Sequence, residues 1–285
     1  MNRRTFLKRG IGSLIALLGL SGGGYFYAKE LEPRMIKFQH EVIHSKKIPP
    51  SFQNFKIAQF SDTHIGFHYT INQLSELIEK INASQPDIIV FTGDLVDKPN
   101  EFDDYSSLQE MLKLLDPPYG KFWIYGTHDH GGYGTEIIRE VMENSDFQLL
   151  QNSHVVIEKE VDRFILVGID DVMLGKPNLK IALDHVNHEL FTILLAHEPD
   201  YADTATKYPI DVQLSGHSHG GQIRLPWIGD LYTPAFAEKY VQGKYMLNED
   251  SFTLFVNSGI GTTRLPYRFL CKPEIHIYTL KHSNQ

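Results

Sequence analysis

Pro209-Ile210-Asp211-Val212-Gln213-Leu214 runs straight into Ser215-Gly216-His217-Ser218-His219-Gly220-Gly221. The first half is largely apolar and of strand length, and it predicts a strand of a buried sheet. The second half sets two histidines one residue apart, flanked by glycines, where that strand ends. In an extended chain residues i and i+2 point the same way, so both imidazoles are expected to face one pocket. Their small neighbours let the backbone approach closely. Neutral imidazole is the commonest nitrogen ligand of transition metals; a pair of surface-loop histidines is the plainer reading of the stretch alone.

Moving outward, the same arrangement recurs. Lys56-Ile57-Ala58-Gln59-Phe60 reads as a buried strand and ends in Ser61-Asp62-Thr63-His64, a carboxylate and an imidazole again two apart. Ile71, Leu74, Leu77, Ile78 and Ile81 follow at helical spacing. A strand over Asp87-Ile88-Ile89-Val90-Phe91 ends in Thr92-Gly93-Asp94, and Met111, Leu112, Leu114 and Leu115 mark a helix stopped before Pro117-Pro118. Lys121-Phe122-Trp123-Ile124-Tyr125 leads to Gly126-Thr127-His128-Asp129. Strands alternating with helices argue for a parallel sheet, whose site lies beyond the carboxyl ends of its strands. Every polar cluster above falls there. Further strands are expected at Ile165-Leu166-Val167-Gly168, followed by Ile169-Asp170-Asp171, and at Phe191-Thr192-Ile193-Leu194-Leu195-Ala196, followed by His197-Glu198-Pro199. Phe252–Val256 and Glu274–Tyr278 close the series. The class is α/β, with two packed sheets and helices outside them.

The length of 285 residues suits one large domain, and there is no linker, repeat or low-complexity run. Residues 1–28 are read as a separate segment, 29–50 as a lead-in strand and loop, and 51–285 as the domain. The formal net charge is -8, and setting aside Arg3, Arg4, Lys8 and Arg9 leaves about -12 for the rest. A body that acidic argues against binding nucleic acid. The single cysteine, Cys271, excludes an intrachain disulfide and thiolate metal clusters.

Five strand ends therefore carry Asp62-x-His64, Gly93-Asp94, Gly126-Thr127-His128-Asp129, His197 and Gly216-His217-Ser218-His219. In order, spacing and context this set resembles the calcineurin-like metallophosphoesterases, over about residues 55–280. The resemblance implies a four-layer α/β/β/α sandwich of two mixed sheets. It implies two divalent metal ions, manganese, zinc or iron, one held by Asp62, His64 and His219, the other by His197, His217 and Thr127, with Asp94 between them. Phosphoester hydrolysis would proceed by attack of a metal-bound hydroxide. His128 would stand beside the phosphate or leaving group, and Asp129 would orient it. Asp97 would order the loop or support the ligands. Thr127 replaces the family's asparagine, a better neutral ligand, so the second ion is expected to bind more loosely.

Other residues keep two readings. His68 and His130 line the pocket or sit in solvated loops. Gly131–Thr135 cradles phosphate or simply turns. Arg264 and Arg268 contact substrate phosphate or make structural salt bridges. The substrate is expected to be a small or envelope-derived phosphomonoester or diester, with a lipid-linked one included. The rival classes are a metal-binding envelope protein without turnover and a metal-dependent nuclease.

Asn2-Arg3-Arg4-Thr5-Phe6-Leu7-Lys8 precedes a short apolar run, Ile11 to Leu20, and resembles a twin-arginine export signal. A basic arm touching the membrane is the alternative. Export through the twin-arginine translocase implies an extracytoplasmic protein of the cell envelope or medium. No good cleavage site follows the run, so the segment can persist as an anchor against membrane or cell wall. Replacing Arg3 and Arg4 by lysine is expected to leave the protein folded and active in the cytoplasm. Fractionation followed by an activity assay measures this, and unchanged export removes the twin-arginine reading.

Overall fold

In the computed structural model, residues 22–131 and 134–283 are described. The first sheet contains β1 (Lys37–Ser45), β2 (Lys56–Phe60), β3 (Ile88–Phe91), β4 (Lys121–Trp123) and β5 (Phe147–Leu149). The second contains β6 (Ser153–Lys159), β7 (Asp162–Gly168), β8 (Thr192–Leu195) and β9 (Val212–Ser215). A two-stranded hairpin, β10 (Arg224–Leu225) and β11 (Gly229–Asp230), follows. Next come β12 (Gly243–Leu247) and β13 (Phe252–Val256), which join the second sheet, and β14 (Glu274–His282), which joins the first. The orders are β1-β14-β2-β3-β4-β5 and β12-β13-β9-β8-β7-β6. Both sheets are mixed: β2 to β5 run parallel while β14 is antiparallel to β2, and β7, β8, β9 and β13 run parallel between antiparallel partners.

Side-chain alternation sorts the central strands into layers. Ile57, Ile88 and Val90 pack between the sheets against Leu166, Ile193, Leu195 and Leu214. Their neighbours Ala58, Phe60, Ile89 and Phe91 face the other way, onto helices. These helices are α1 (Ile71–Ala83), α2 (Tyr105–Lys113) and α3 (Thr135–Glu143). α1 starts where Thr70 Oγ1 accepts the Gln73 amide at 3.3 Å and Gln73 Oε1 accepts that of Thr70 at 3.0 Å. It turns Leu74, Leu77, Ile78 and Ile81 inward. The outer face of the second sheet, with Ile165, Val167 and Leu194, is covered by short helical turns carrying Leu179, Ala182, Ala202 and Ala205. The chain is thus an α/β sandwich of two mixed sheets flanked by helices.

The strands and first two helices fall where periodicity places them, with Leu114 past the end of α2 and exposed. β5, β6, β12 and the hairpin carry no strong pattern and are not among the expected elements; α3 is not among them either, although Ile138, Val141 and Met142 turn inward at helical spacing. The lead-in segment supplies β1, which pairs with β14 along nine residues.

One polar network crosses the apolar middle layer. Gln59 donates through Nε2 to Thr92 Oγ1 at 2.9 Å and to the Ser215 carbonyl of the other sheet at 3.1 Å. Tyr278 donates its hydroxyl proton to Gln59 Oε1 at 2.6 Å. All of these side chains are buried, so losing one partner strands the others. Gln59→Leu is expected to lower stability by about 2–4 kcal/mol, read as a shift in the urea midpoint. An unchanged midpoint means that the network contributes nothing.

Candidate metal centre

β2, β3 and β4 of the first sheet and β8 and β9 of the second all end on one side of the molecule. Asp62 and His64, Asp94, Thr127 and His128, His197, and His217 and His219 meet there. Asp62, His64 and His219 form one buried cluster, and Asp94, His197 and His217 a second. The convergence has a different origin from strand alternation. The backbone leaves the extended region at once: Asp62, His64, Asp94, His217 and His219 have φ of 53°, 43°, 63°, 68° and 50°. This left-handed region is uncommon for any residue with a Cβ, though less so for Asp and His, and such conformations cost on the order of 1–3 kcal/mol each. Two of the turns hold each other: the Asp62 carboxylate accepts the His217 amide at 3.0 and 3.1 Å. Gly216 is what allows this, because a Cβ there would lie 2.1 Å from Ser61 Oγ and 2.4 Å from Asp62 Oδ2. As a result His217 and His219, expected to share one pocket, border one cavity but serve different clusters.

The hydrogen bonds fix which imidazole nitrogens carry protons. His197 Nδ1 lies 2.6 Å from the Thr92 carbonyl, and His217 Nε2 lies 2.9 Å from that of Ala235. His64 Nδ1 lies 3.1 Å from Asp97 Oδ1. Carbonyl and carboxylate oxygens only accept, so these three nitrogens are N–H donors and the other nitrogen of each ring faces inward. The inward nitrogens nearly touch: His64 Nε2 is 3.0 Å from His219 Nε2, and His217 Nδ1 is 3.1 Å from His197 Nε2. Asp62 Oδ1 is 3.5 Å from His219 Nε2. Asp94 Oδ2 is 3.4 Å from His64 Nε2 and 3.4 Å from His197 Nε2, one in each cluster. Burial lowers His197, but Asp94 outweighs it and holds this imidazole well above its usual range, so a proton supplies the positive charge among these nitrogens that a cation would otherwise bring. Donor spacings of this size are also what ligands about 2.0–2.2 Å from a shared first-row cation require. The donor set therefore fits divalent metals.

Electrostatics point the same way. Burial, then the His197 charge, pushes His217 down to about 4, and burial with the charge of His64 pushes His219 down, so both are neutral donors. Burial alone would raise Asp94, but His197 and the other imidazoles overcome it and hold Asp94 low. For Asp62 burial wins, and its carboxyl is raised. Two buried carboxylates thus depend on cations beside them.

His128 borders the same cavity, of about 400 Å³, together with Thr127 and Arg264. Its Nδ1 donates to the Asp97 carbonyl at 2.7 Å, which leaves Nε2 free. Burial lowers its pKa, but Asp94 and the Asp97 carbonyl outweigh burial, and the net shift is upward. Asp129 does not orient it. Asp129 is the third residue of a one-turn helix, Thr127–His130, and its carboxylate folds back in the manner of a capping box. There it accepts the amides of Gly126 and Asp94, both at 2.8 Å, and of Leu95 at 3.0 Å. It ties two site loops together, and Asp97 takes over the positioning of both His64 and His128.

Thr127 donates its hydroxyl proton to Asp171 Oδ1 at 3.1 Å, so only its oxygen lone pairs can serve a cation. Arg264 lies at the cavity, its guanidinium 4.8 Å from the centre of the Tyr232 ring. Arg268 does not reach it. The guanidinium is fully buried and donates to the carbonyls of Ser258, Gly261 and Cys271, neither contacting substrate space nor forming a salt bridge. His68 borders a separate groove with Lys29 and Arg34. His130 pairs with Asp170 at 2.7 Å, which accounts for it otherwise than as a cavity wall or a free loop. Gly132 and Tyr133, part of the glycine-rich turn, lie outside the described residues, as do residues 1–21.

Two acidic residues were missed. Asp171 is buried under Thr127, and Glu198 accepts the amides of Val172 at 3.1 Å and Met173 at 3.2 Å. Burial, opposed by His197 and helped by Asp171, raises Glu198 to about 8, so it is protonated near neutrality. Both follow strand ends, the same signal that located the other donors.

Fold and donor set together define a metal-dependent phosphoesterase, and the sequence profile of the calcineurin-like phosphoesterases matches residues 55–221. The chain belongs to that family, whose members use divalent metals, and it is a hydrolase of phosphoesters. It is 44% identical to the uncharacterized metallophosphoesterase YkuE of Bacillus subtilis, over 100% of this chain and 99% of the other. It is 27% identical to the phosphodiesterase YaeI of Escherichia coli, over 98% and 99%. It is 26% identical to the UDP-2,3-diacylglucosamine pyrophosphatase LpxG of Chlamydia muridarum, over 94% and 97%.

Asp129→Asn places an amide donor among three backbone donors. It is expected to cost about 2–3 kcal/mol of stability and to loosen metal binding. Asp97→Asn leaves the main-chain carbonyl that holds His128 and alters only the side-chain acceptor of His64 Nδ1, so it is expected to keep the fold and lower turnover through the metal donors. Thermal melts beside activity separate the two, and the reverse pattern returns the orienting role to Asp129.

Proposed function

We propose that the chain is a dinuclear phosphoesterase acting outside the cytoplasm on a phosphomonoester or phosphodiester whose remainder is apolar, an envelope-derived or lipid-linked molecule. The observation that carries the reading is Asp94 Oδ2 standing 3.4 Å from an imidazole nitrogen of each cluster, with His128 at the cavity beside it. Asp62, His64 and His219 would hold one ion and His197, His217 and the oxygen of Thr127 the other, with Asp94 shared. Manganese, iron or zinc suits such mixed imidazole and carboxylate donors. Bound there, the ions supply Lewis-acid charge for phosphoryl oxygens and acidify water.

The chain's own residues do the rest. His128, fixed through Nδ1, offers Nε2 to a phosphoryl or leaving-group oxygen, and its raised pKa favours the protonated, donating form. Arg264 supplies a charge at the mouth. Met173, Ile223, Leu231, Tyr232 and Leu265 make one wall apolar, which favours a substrate with a hydrocarbon part. A diacylated sugar nucleotide, the substrate class in the name of the chlamydial relative, has this character. The net charge of -8 opposes a nuclease reading.

The test is hydrolysis of a chromogenic aryl phosphodiester against free manganese, with elemental analysis of the protein. Asp94→Asn is expected to lower metal content and cut turnover by orders of magnitude. Thr127→Asn is expected to tighten the second ion and reduce the manganese requirement. Metal uptake without turnover on any phosphoester would leave a binding protein. Two tight ions in the Asp94 variant would remove the shared carboxylate.

A further inference from the structure

Three segments bring apolar side chains to the surface beside the cavity. In the β10–β11 hairpin, the tip carries Trp227, fully exposed at 103% of its free area, and Ile228 at 71%. The hairpin is tied to the segment that follows Arg264: Arg224 donates its amide to the Phe269 carbonyl at 2.8 Å, and Phe269 donates to Gln222 at 3.0 Å. That segment presents Leu265 and Leu270. It is tied in turn to residues 22–31, since Arg268 donates its amide to the Ala28 carbonyl at 2.8 Å. Tyr25 packs on Tyr267 with ring centres 5.6 Å apart, and Tyr27 meets Phe269 edge-on at 6.1 Å. The patch is therefore one continuous surface built from three parts of the chain. Leu231, Tyr232 and Leu265 belong both to it and to the cavity wall, so the apolar surface runs into the site.

We infer that this face docks on an anionic lipid bilayer, with the Trp227–Ile228 tip entering the interface and the cavity mouth turned toward the lipid. Three observations choose lipid over a protein partner. A projecting tip of one tryptophan and one isoleucine is convex, and tryptophan favours the interfacial zone of membranes. The chain reaches this face from the apolar run Ile11–Leu20, with Arg3, Arg4, Lys8 and Arg9 before it, and residues 22–31 lie in the patch itself. The surface charges lean one way: beside the three segments Arg34 pairs with Glu30 at 3.3 Å and Arg224 with Asp230 at 3.6 Å, Glu32 and Arg268 are buried, and Lys29, Arg264 and Lys272 remain in excess on a protein of net charge -8. Cations near an anionic lipid surface strengthen binding to it. No described helix is long and apolar enough to cross a membrane. The inference deepens the reading of an apolar phosphoester: an amphiphile would pass from the bilayer along Leu265 and Tyr232 to the metal donors without its hydrocarbon part entering water.

The two tryptophans make the test direct, because Trp123 is fully buried and Trp227 fully exposed. Emission spectra of the whole chain and of Trp227→Phe are recorded with and without vesicles of phosphatidylcholine mixed with phosphatidylglycerol. The difference between the two proteins belongs to Trp227. It is expected to shift to the blue on vesicle addition and to be quenched by lipids brominated on their acyl chains. Ile228→Asp retains the reporter and is expected to lose both effects. If the chain sediments with vesicles while Trp227 emission stays unchanged, only residues 1–21 hold it there, and the docking face falls. It falls equally if the chain does not sediment at all. Hydrolysis of the soluble aryl phosphodiester, followed on the same samples, reports the chemistry separately. Retained turnover without the shift removes docking alone, and a shift without turnover removes the catalytic reading alone.

Discussion

Asp94 Oδ2 is where the two halves of the site meet, and most of the architecture serves to keep a carboxylate charged there. It is buried, with one imidazole nitrogen of each cluster at 3.4 Å. Its other oxygen accepts the His128 amide at 2.7 Å. Holding four inward imidazole nitrogens and two carboxylates in so small a volume is unfavourable by itself. The fold opposes the repulsion with rigidity. Left-handed turns aim the side chains, Asp129 locks the loops after β3 and β4 together, and Asp62 locks the loop after β9. Such strain persists only where surrounding contacts over-determine it. Sheets on both sides of the seam provide those contacts, and Gln59 spans the seam directly beneath the donors.

The sequence is most readable where a residue's role follows from its place at a strand end. Asp62, His64, Asp94, His197, His217 and His219 come together as their strand-end positions lead one to expect, because an apolar run of strand length shows where a parallel strand stops. Which layer each residue enters is not legible in these uniformly apolar runs: alternation puts Ile57 and Ala58 on opposite faces, and only the structure shows which face meets the helices. What could not be read was direction after the strand stops. Left-handed turns at Asp62 and His217 redirect the side chains, and no periodicity encodes that. Asp129 and Asp97 exchanged roles for this reason. Position in the motif favoured Asp129, while the helical turn bends its carboxylate away from His128. Arg268 misled because a charged side chain in a loop is ordinarily exposed, and here three carbonyls bury it. Asp171 and Glu198 gave the strand-end signal but have no place in the motif.

The cavity combines opposite demands on two walls. One wall carries the polar donors, supported by carboxylates whose own hydrogen bonds leave no freedom. The other is built from the hairpin and the loop around Arg264, regions outside the two sheets and held mainly by backbone hydrogen bonds. On the proposed function, the metal donors lie at the ends of sheet strands and the wall that would meet the rest of the substrate lies on loops, where such surfaces vary most readily. Substitutions in the hairpin can alter what is bound without disturbing the donors beneath.

The placement of β14 has a consequence for how the molecule forms. It lies between β1 and β2, parallel to one and antiparallel to the other. Glu274 must therefore find Lys37 across nearly the whole chain, and until it does β1 has no strand beside it and β2 has only β3. During synthesis, β1 and β2 leave the ribosome long before β14 exists, with open edges that other strands could occupy. Non-local pairings of this kind slow folding because the chain must close a very long loop first. Asp62 sits just beyond the end of β2, so its turn gains its final support only after β14 has inserted. The donors would then come together late, in a nearly finished protein, which limits the time that a half-formed site can capture an ion in the wrong arrangement.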